Sequence, residues 1–146
     1  MLRSCVEQFY NKEGHEYLPS QAHRLIAALP FSLILTTCHD DLLERALRDI
    51  GKSPAIERYH FRGDRQDNAE FMIPGSPDYP LLYRLFGDAK EPGSMVVGEN
   101  DLLDFLICMV AQRPSLPNCL LRALNNIRRP FFLSALGSGT GTSECC

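Results

Sequence analysis

The sequence predicts an α/β fold, a parallel sheet with flanking helices, and three observations carry that prediction. Residues 31–35 form a short apolar run between Pro30 and Thr36-Thr37, the pattern of a strand covered on both faces, as in parallel sheets. From Asp40 onward, Leu42, Leu43, Ala46, Leu47 and Ile50 recur at helical spacing, with acids early, arginines later and Gly51 as the stop. Residues 81–85 repeat the buried-strand pattern and are followed by another apolar helix. In open sheets of this class the ligand crevice lies beyond the carboxyl ends of the strands, so residues 36–40 stand where chemistry would sit.

Length and charge narrow the function. A chain of 146 residues suits one domain and can bury a full core. Fifteen basic against 18 acidic residues, a net charge of −3, give no electrostatic footprint for nucleic acid or an anionic membrane. No apolar run approaches a membrane span, and Met1-Leu-Arg-Ser-Cys-Val lacks the apolar core of a signal peptide, so the expected compartment is the cytoplasm. The cysteines, Cys5, Cys38, Cys108, Cys119, Cys145 and Cys146, contain no Cys-x-x-Cys pair, which argues against a zinc ribbon or a redox motif and for reduced thiols. His15, His23, His39 and His60 have no metal-ligand spacing.

The elements follow in order. Residues 1–18 read as a weakly structured lead-in, with Val6, Phe9 and Tyr10 hinting at one short helix. Ser20 then caps a helix that presents Ala22, Leu25, Ile26 and Leu29 on one face before Pro30 ends it. Residues 55–61 form a strand with mixed faces, nearer an edge, and residues 62–68 a charged loop whose Arg-Gly-Asp triplet is coincidental. A strand over 69–73 and a turn-rich crossing lead to the buried strand at 81–85. After a turn and a brief extended piece at 95–97, Asn100 caps a helix through Val110 whose largely apolar faces predict deep burial. Ser115 and Pro117 open another helix through Leu120, Leu121 and Leu124, and residues 130–133 restart a strand.

Two blocks carry a resemblance. Thr36-Thr37-Cys38-His39-Asp40 and the following Asp41-Leu42-Leu43-Glu44 resemble the bacterial sirtuin-like domain, with its Thr-Thr-Asn-Tyr/Phe-Asp and Asp-Leu-Leu-Glu. Leu82-Tyr83-Arg84-Leu85-Phe86-Gly87-Asp88, then Pro92, residues 94–97 and the acid-led segment from Glu99, match that family's Tyr-Lys-Leu-His-Gly-Ser, proline, apolar strand and helix. The resemblance implies a Rossmann-like sheet that is incomplete, because residues 1–35 hold no opening strand with the glycine-rich turn that wraps dinucleotide phosphates. It divides the chain into the lead-in, a partial domain over 19–133, and a flexible tail over 134–146. Permitted codons let that tail be written in another frame as Leu-Gly-Phe-Gly-His-Trp-Tyr, so a frameshifted end is expected.

In the family, the Asn and the His act at the nicotinamide ribose and the Asp holds the nicotinamide amide. The matching positions here are Cys38, Phe86 and Asp40. Phenylalanine neither donates nor accepts a proton, so no catalytic residue is expected at Phe86. Thr36, Thr37 and Asp40 remain as candidate nucleotide-binding residues, with Asp40 read equally as a helix-capping acid. Cys38-His39-Asp40 as a thiol triad is argued against by adjacency, since neighbours leaving a strand point different ways. The implied protein is thus a degenerate sirtuin-like domain without NAD hydrolase activity, a sensing or interaction module of a bacterial defence-type protein. It requires no cofactor or metal, and its candidate ligand is NAD or a related nucleotide. The alternatives are an active NAD glycohydrolase and a protein-pairing module that self-associates through the helix at 102–110 or through exposed sheet edges.

Overall fold

A computed structural model describes residues 17–63, 76–126 and 131–134. In chain order the elements are α1 (Gln21–Ala28), β1 (Leu33–Thr36), α2 (Leu42–Asp49), β2 (Ala55–Arg58), β3 (Leu81–Arg84), a 3₁₀ turn (Pro92–Ser94), α3 (Glu99–Ala111), α4 (Asn118–Leu124) and β4 (Phe131–Ser134). All strand pairings are parallel and the sheet order is β2-β3-β1-β4. β1 sits inside, with Leu33 opposite Leu81 and Ile34 opposite Leu82 on one flank, and Leu33 opposite Phe131 on the other. Every residue of β1 and β3 is buried, whereas β2 is half-buried and lies at an edge, as its mixed faces predicted.

Alternation along the strands divides the core into two layers. Ile34 and Leu82 face Ile26 and Ala27 of α1 and Leu43, Ala46 and Leu47 of α2. Leu33, Leu35, Leu81 and Tyr83 face the other way, toward Phe105 of α3 and Leu120 and Ala123 of α4. Gly51, at φ +84, turns the chain out of α2. The next residue, Lys52, sends its Nζ to the carbonyls of Ala27 and Leu29 at 2.7 and 2.8 Å, tying the end of α2 to the exposed carbonyls of α1.

Two helix faces differ from the sequence expectation. α1 buries His23, Ile26 and Ala27, while Ala22, Leu25 and Leu29 are exposed. Its rotation is set at the N-terminus, where the Ser20 N–H donates to His23 Nδ1 at 3.2 Å and Ser20 Oγ lies 2.7 Å from the same nitrogen. α3 begins one residue before Asn100, because Asp101 takes the N–H groups of Val97 and Gly98 at 3.1 and 3.3 Å. Of its apolar residues only Phe105 is buried, so the deep burial expected of α3 is not met. The brief extended piece expected at 95–97 begins at Met95, whose backbone is extended (φ −73, ψ 141), pairs into no sheet strand, and buries Met95 and Val96. The expected strand at 69–73, the helix hinted at around Val6 and the tail beyond Ser134 lie outside the described residues.

Candidate functional site

The carboxyl ends of β1 and β3 bring together the two blocks that the sequence singled out. Leu85 N–H donates to the Thr36 carbonyl at 2.8 Å, extending the parallel pairing by one residue past the strands. The segment after β1 then crosses toward the segment after β3. The His39 carbonyl accepts from the Ala89 N–H at 3.0 Å and from Arg84 Nη1 at 3.3 Å, and His39 Nε2 lies 3.1 Å from the Val96 carbonyl. Because a carbonyl can only accept, that contact assigns the ring proton to Nε2.

Two of the candidate side chains, Thr36 and Asp40, bond locally. Thr36 Oγ1 accepts the Cys38 N–H at 3.1 Å, a turn closed by the hydroxyl. Asp40 Oδ1 accepts the Leu42 N–H at 3.1 Å, satisfying one of the otherwise unpaired donors at the start of α2. Thr37, Cys38 and Asp40 are half-buried. Burial pushes the Cys38 thiol up, against a hydrogen bond with Thr36 that lowers it, so the thiol stays protonated at neutral pH. Burial likewise raises Asp40, opposed by its bond from Leu42 and by the nearby His23 and Arg84 charges. The three residues do not form a relay, since His39 bonds Val96 and Asp40 bonds Leu42.

Burial depresses His39 below its ordinary 6.5, against the bonds to the Val96 and Phe86 backbone that raise it. The unfolded chain therefore binds this proton more readily than the folded one. Stability contributed by neutral His39 is full above pH 6.5 and is lost as pH falls through the window below it. Denaturant midpoints measured from pH 5 to pH 8 are expected to rise through that window and then flatten, and His39→Gln should remove this part of the slope. An unchanged slope in the variant would assign the pH dependence elsewhere.

Phe86, which the sequence resemblance sets against the family's histidine, is half-buried and packs against the margin of the core. It meets Phe105 edge-on, with centroids 5.0 Å apart and planes at 82°. Tyr59 and Phe61 approach the same ring edge-on at 5.8 and 6.0 Å. Behind Phe86, Gly87 adopts φ +86, and the Phe86 carbonyl accepts the Val96 N–H at 2.9 Å.

Beneath these segments runs a chain of charges that sequence reasoning missed. Arg84, 1 % exposed, pairs through Nη2 with Glu44 Oε2 and through Nη1 with Asp88 Oδ2, both at 2.9 Å. Glu44 Oε1 in turn meets Arg48 Nη1 at 2.6 Å. Glu44 and Arg84 both stand in the motif blocks, but 40 positions apart, and no periodicity links residues so distant. The opposite charges within the two blocks were the one available signal.

Two clefts open past the carboxyl end of β2. One, of about 290 Å³, is lined by His60, Arg62, Glu91 and Ser94, and the other, of about 600 Å³, by Arg62, Gln112, Arg113 and Ser115. Neither is lined by Thr36, Thr37 or Asp40. Among the described residues no group of three His, Cys, Asp or Glu could hold a metal ion, and no helix is long and apolar enough to cross a membrane.

The arrangement of β1, the segment 36–41 and β3 agrees with a comparison to family models, in which residues 32–138 match the SIR2-like domain. The chain belongs to that family. Its SIR2-like region is similar to the NAD(+) hydrolase ThsA of Cytobacillus dafuensis, 25% identical over 109 residues, covering 66% of this chain and 20% of the relative. The NAD(+) hydrolase ThsA of Enterococcus faecium is 27% identical over 89 residues, covering 60% and 17%, and that of Acinetobacter baumannii 26% over 94 residues, covering 63% and 17%. The chain thus spans at most 20% of the length of these relatives.

Proposed function

We propose that this SIR2-like domain is a pseudoenzyme: it keeps the strand-end scaffold of a nucleotide site, does not hydrolyse NAD, and acts as a sensing or interaction module of a bacterial defence-type protein in the cytoplasm. The observation that carries the reading is Phe86. Its half-buried ring packs edge-on against Phe105 at the margin of the core, at the position that the resemblance matches to the sirtuin-like histidine, so the group that would exchange a proton is replaced by a hydrocarbon that packs. Cys38, at the family's asparagine position, is protonated at neutral pH and lacks a carboxamide's paired donor and acceptor. The naming of its relatives as NAD(+) hydrolases supports NAD or a related nucleotide as the ligand class. Thr36, Thr37 and Asp40 would be the contacts, Asp40 through the carboxylate oxygen not bonded to Leu42.

Incubation of the purified chain with NAD, followed by chromatographic detection of nicotinamide, tests the proposal. Release is expected to match the protein-free control. Sustained turnover would establish the competing reading, an active glycohydrolase that uses other groups in place of the Asn and the His.

A further inference from the structure

We propose that the cleft of about 600 Å³ beyond the carboxyl end of β2 is an anion site that takes the phosphate group of a small molecule. Its walls come from two corners of the chain. Residues 61–63 leave β2 and residues 112–115 join α3 to α4, and together they line the cleft with Arg62, Gln112, Arg113 and Ser115. Among the described residues that line it none is acidic, on a chain whose net charge is −3. Donors gather there with no carboxylate to receive them.

Both corners are tied to the core, so the donors are placed before any ligand arrives. Buried Tyr59 donates its hydroxyl to the Pro114 carbonyl at 2.6 Å, and the Arg113 N–H donates to the Cys108 carbonyl at 3.0 Å, where Gln112 takes the left-handed conformation that ends α3. On the other corner the Gly63 N–H donates to the His60 carbonyl at 3.1 Å. The Arg62 guanidinium lies 4.3 Å from the centroid of the buried Phe61 ring, and it donates to the Gly93 carbonyl at 3.3 Å and to the Asp101 carboxylate. Arg62 is thus fixed and its charge is already met. Arg113 differs, because among the described residues neither its guanidinium, the Gln112 amide nor the Ser115 hydroxyl has a hydrogen bond or ion pair.

The number of donors selects the ligand. A carboxylate has oxygens enough for one guanidinium fork, whereas a phosphate has oxygens left for the remaining N–H groups of Arg62, the Ser115 hydroxyl and the Gln112 amide. The volume leaves room for a group attached to the phosphate. A nucleic acid or an anionic membrane would need a wide basic face, which the net charge argues against. Thr36, Thr37 and Asp40 do not line this cleft, so it stands independently of the strand-end reading.

Amide NMR titration of the full chain at low ionic strength tests the site, with inorganic phosphate and adenosine diphosphate as the probes. Phosphate is expected to shift the amides of Gly63, Arg113 and Ser115 with a dissociation constant on the order of 1 mM. Arg113→Gln should weaken it about tenfold, Arg113→Lys less, since a point charge remains where the fork is lost, and Ser115→Ala about threefold. Arg24→Gln removes another exposed arginine, on α1 and outside the cleft, and should change nothing. All these side chains are exposed, so circular dichroism should match the wild type in each variant. Tighter binding of the diphosphate that also falls in Arg113→Gln would support the site with a nucleotide as its source of phosphate, and equal affinity would support it with the free ion. Diphosphate binding that survives Arg113→Gln while phosphate binding is lost supports the cleft and reports the strand-end site separately. No shift with phosphate up to about 20 mM, or equal losses in Arg113→Gln and Arg24→Gln, overturns the proposal.

Discussion

Arg84→Leu is expected to lower the free energy of unfolding by about 3–5 kcal/mol. The size follows from what remains behind. Arg84 is 1 % exposed, and its guanidinium divides its amino groups between Glu44 and Asp88, with a further bond to the His39 carbonyl. Removing it leaves a buried Glu44 carboxylate with Arg48 alone, and Arg48 is largely exposed and holds Glu44 from the solvent side. Such an uncompensated charge costs far more than the intact pair contributes, because the pair already bears the desolvation of both partners. One group is desolvated without return even in the wild type: among the described residues, Arg84 Nε is buried with no hydrogen-bond partner. Glu44→Leu combined with Arg84→Leu should therefore cost less than the two single changes summed, with a coupling of about 2 kcal/mol or more. Urea denaturation followed by circular dichroism reads all three variants. A loss below about 1 kcal/mol in Arg84→Leu would mean that the pair behaves as a surface contact and that His39 is held by its other bonds.

The sheet was legible because its strands carry their own signal. Two short apolar runs, each followed by a helix with acids first and a glycine or polar stop, admit few arrangements other than parallel neighbours, and Ile34 and Leu82 are indeed paired. Helix faces were less legible. In α1 the apolar spacing nominated Leu25 and Leu29, yet a polar contact at the cap, Ser20 with His23, rotates the helix so that His23 enters the core. In α3 the composition was read as burial, but composition reports only that a face tends to be covered, never by which chain. The candidate site divides the same way. Asp40 could be read from sequence as a capping acid because that bond is local, two residues long. The Asp88–Arg84–Glu44–Arg48 chain could not, because it forms only once the sheet sets α2 beside the end of β3. The same holds for Phe86, whose sequence shows the loss of a proton carrier but not that its ring gains Phe105 as a neighbour.

Gly87→Ala is expected to cost about 3 kcal/mol, roughly three times the effect of Gly51→Ala. Both glycines have nearly the same left-handed backbone, φ +86 and φ +84, so the conformational penalty of a side chain is shared. Their surroundings differ. A Cβ at Gly51 meets nothing within 4 Å, whereas at Gly87 it overlaps the carbonyl of Ser94 and its hydroxyl. Relief would require the backbone of Ser94 to move, and that backbone is fixed from several directions. Ser94 N–H donates to the Glu91 carbonyl at 2.8 Å, Ser94 Oγ accepts the Asp88 N–H at 3.0 Å, and two residues on Val96 holds both Phe86 and His39. The clash is thus transmitted to the contacts that set residues 36–41 against residues 85–96. Thermal or urea unfolding of the two alanine variants separates the terms, since Gly51→Ala reports the backbone penalty and the difference reports the clash. Equal losses at the two positions would show that the Ser94 turn yields freely, and that the close approach of Gly87 does not fix the geometry of the strand-end site.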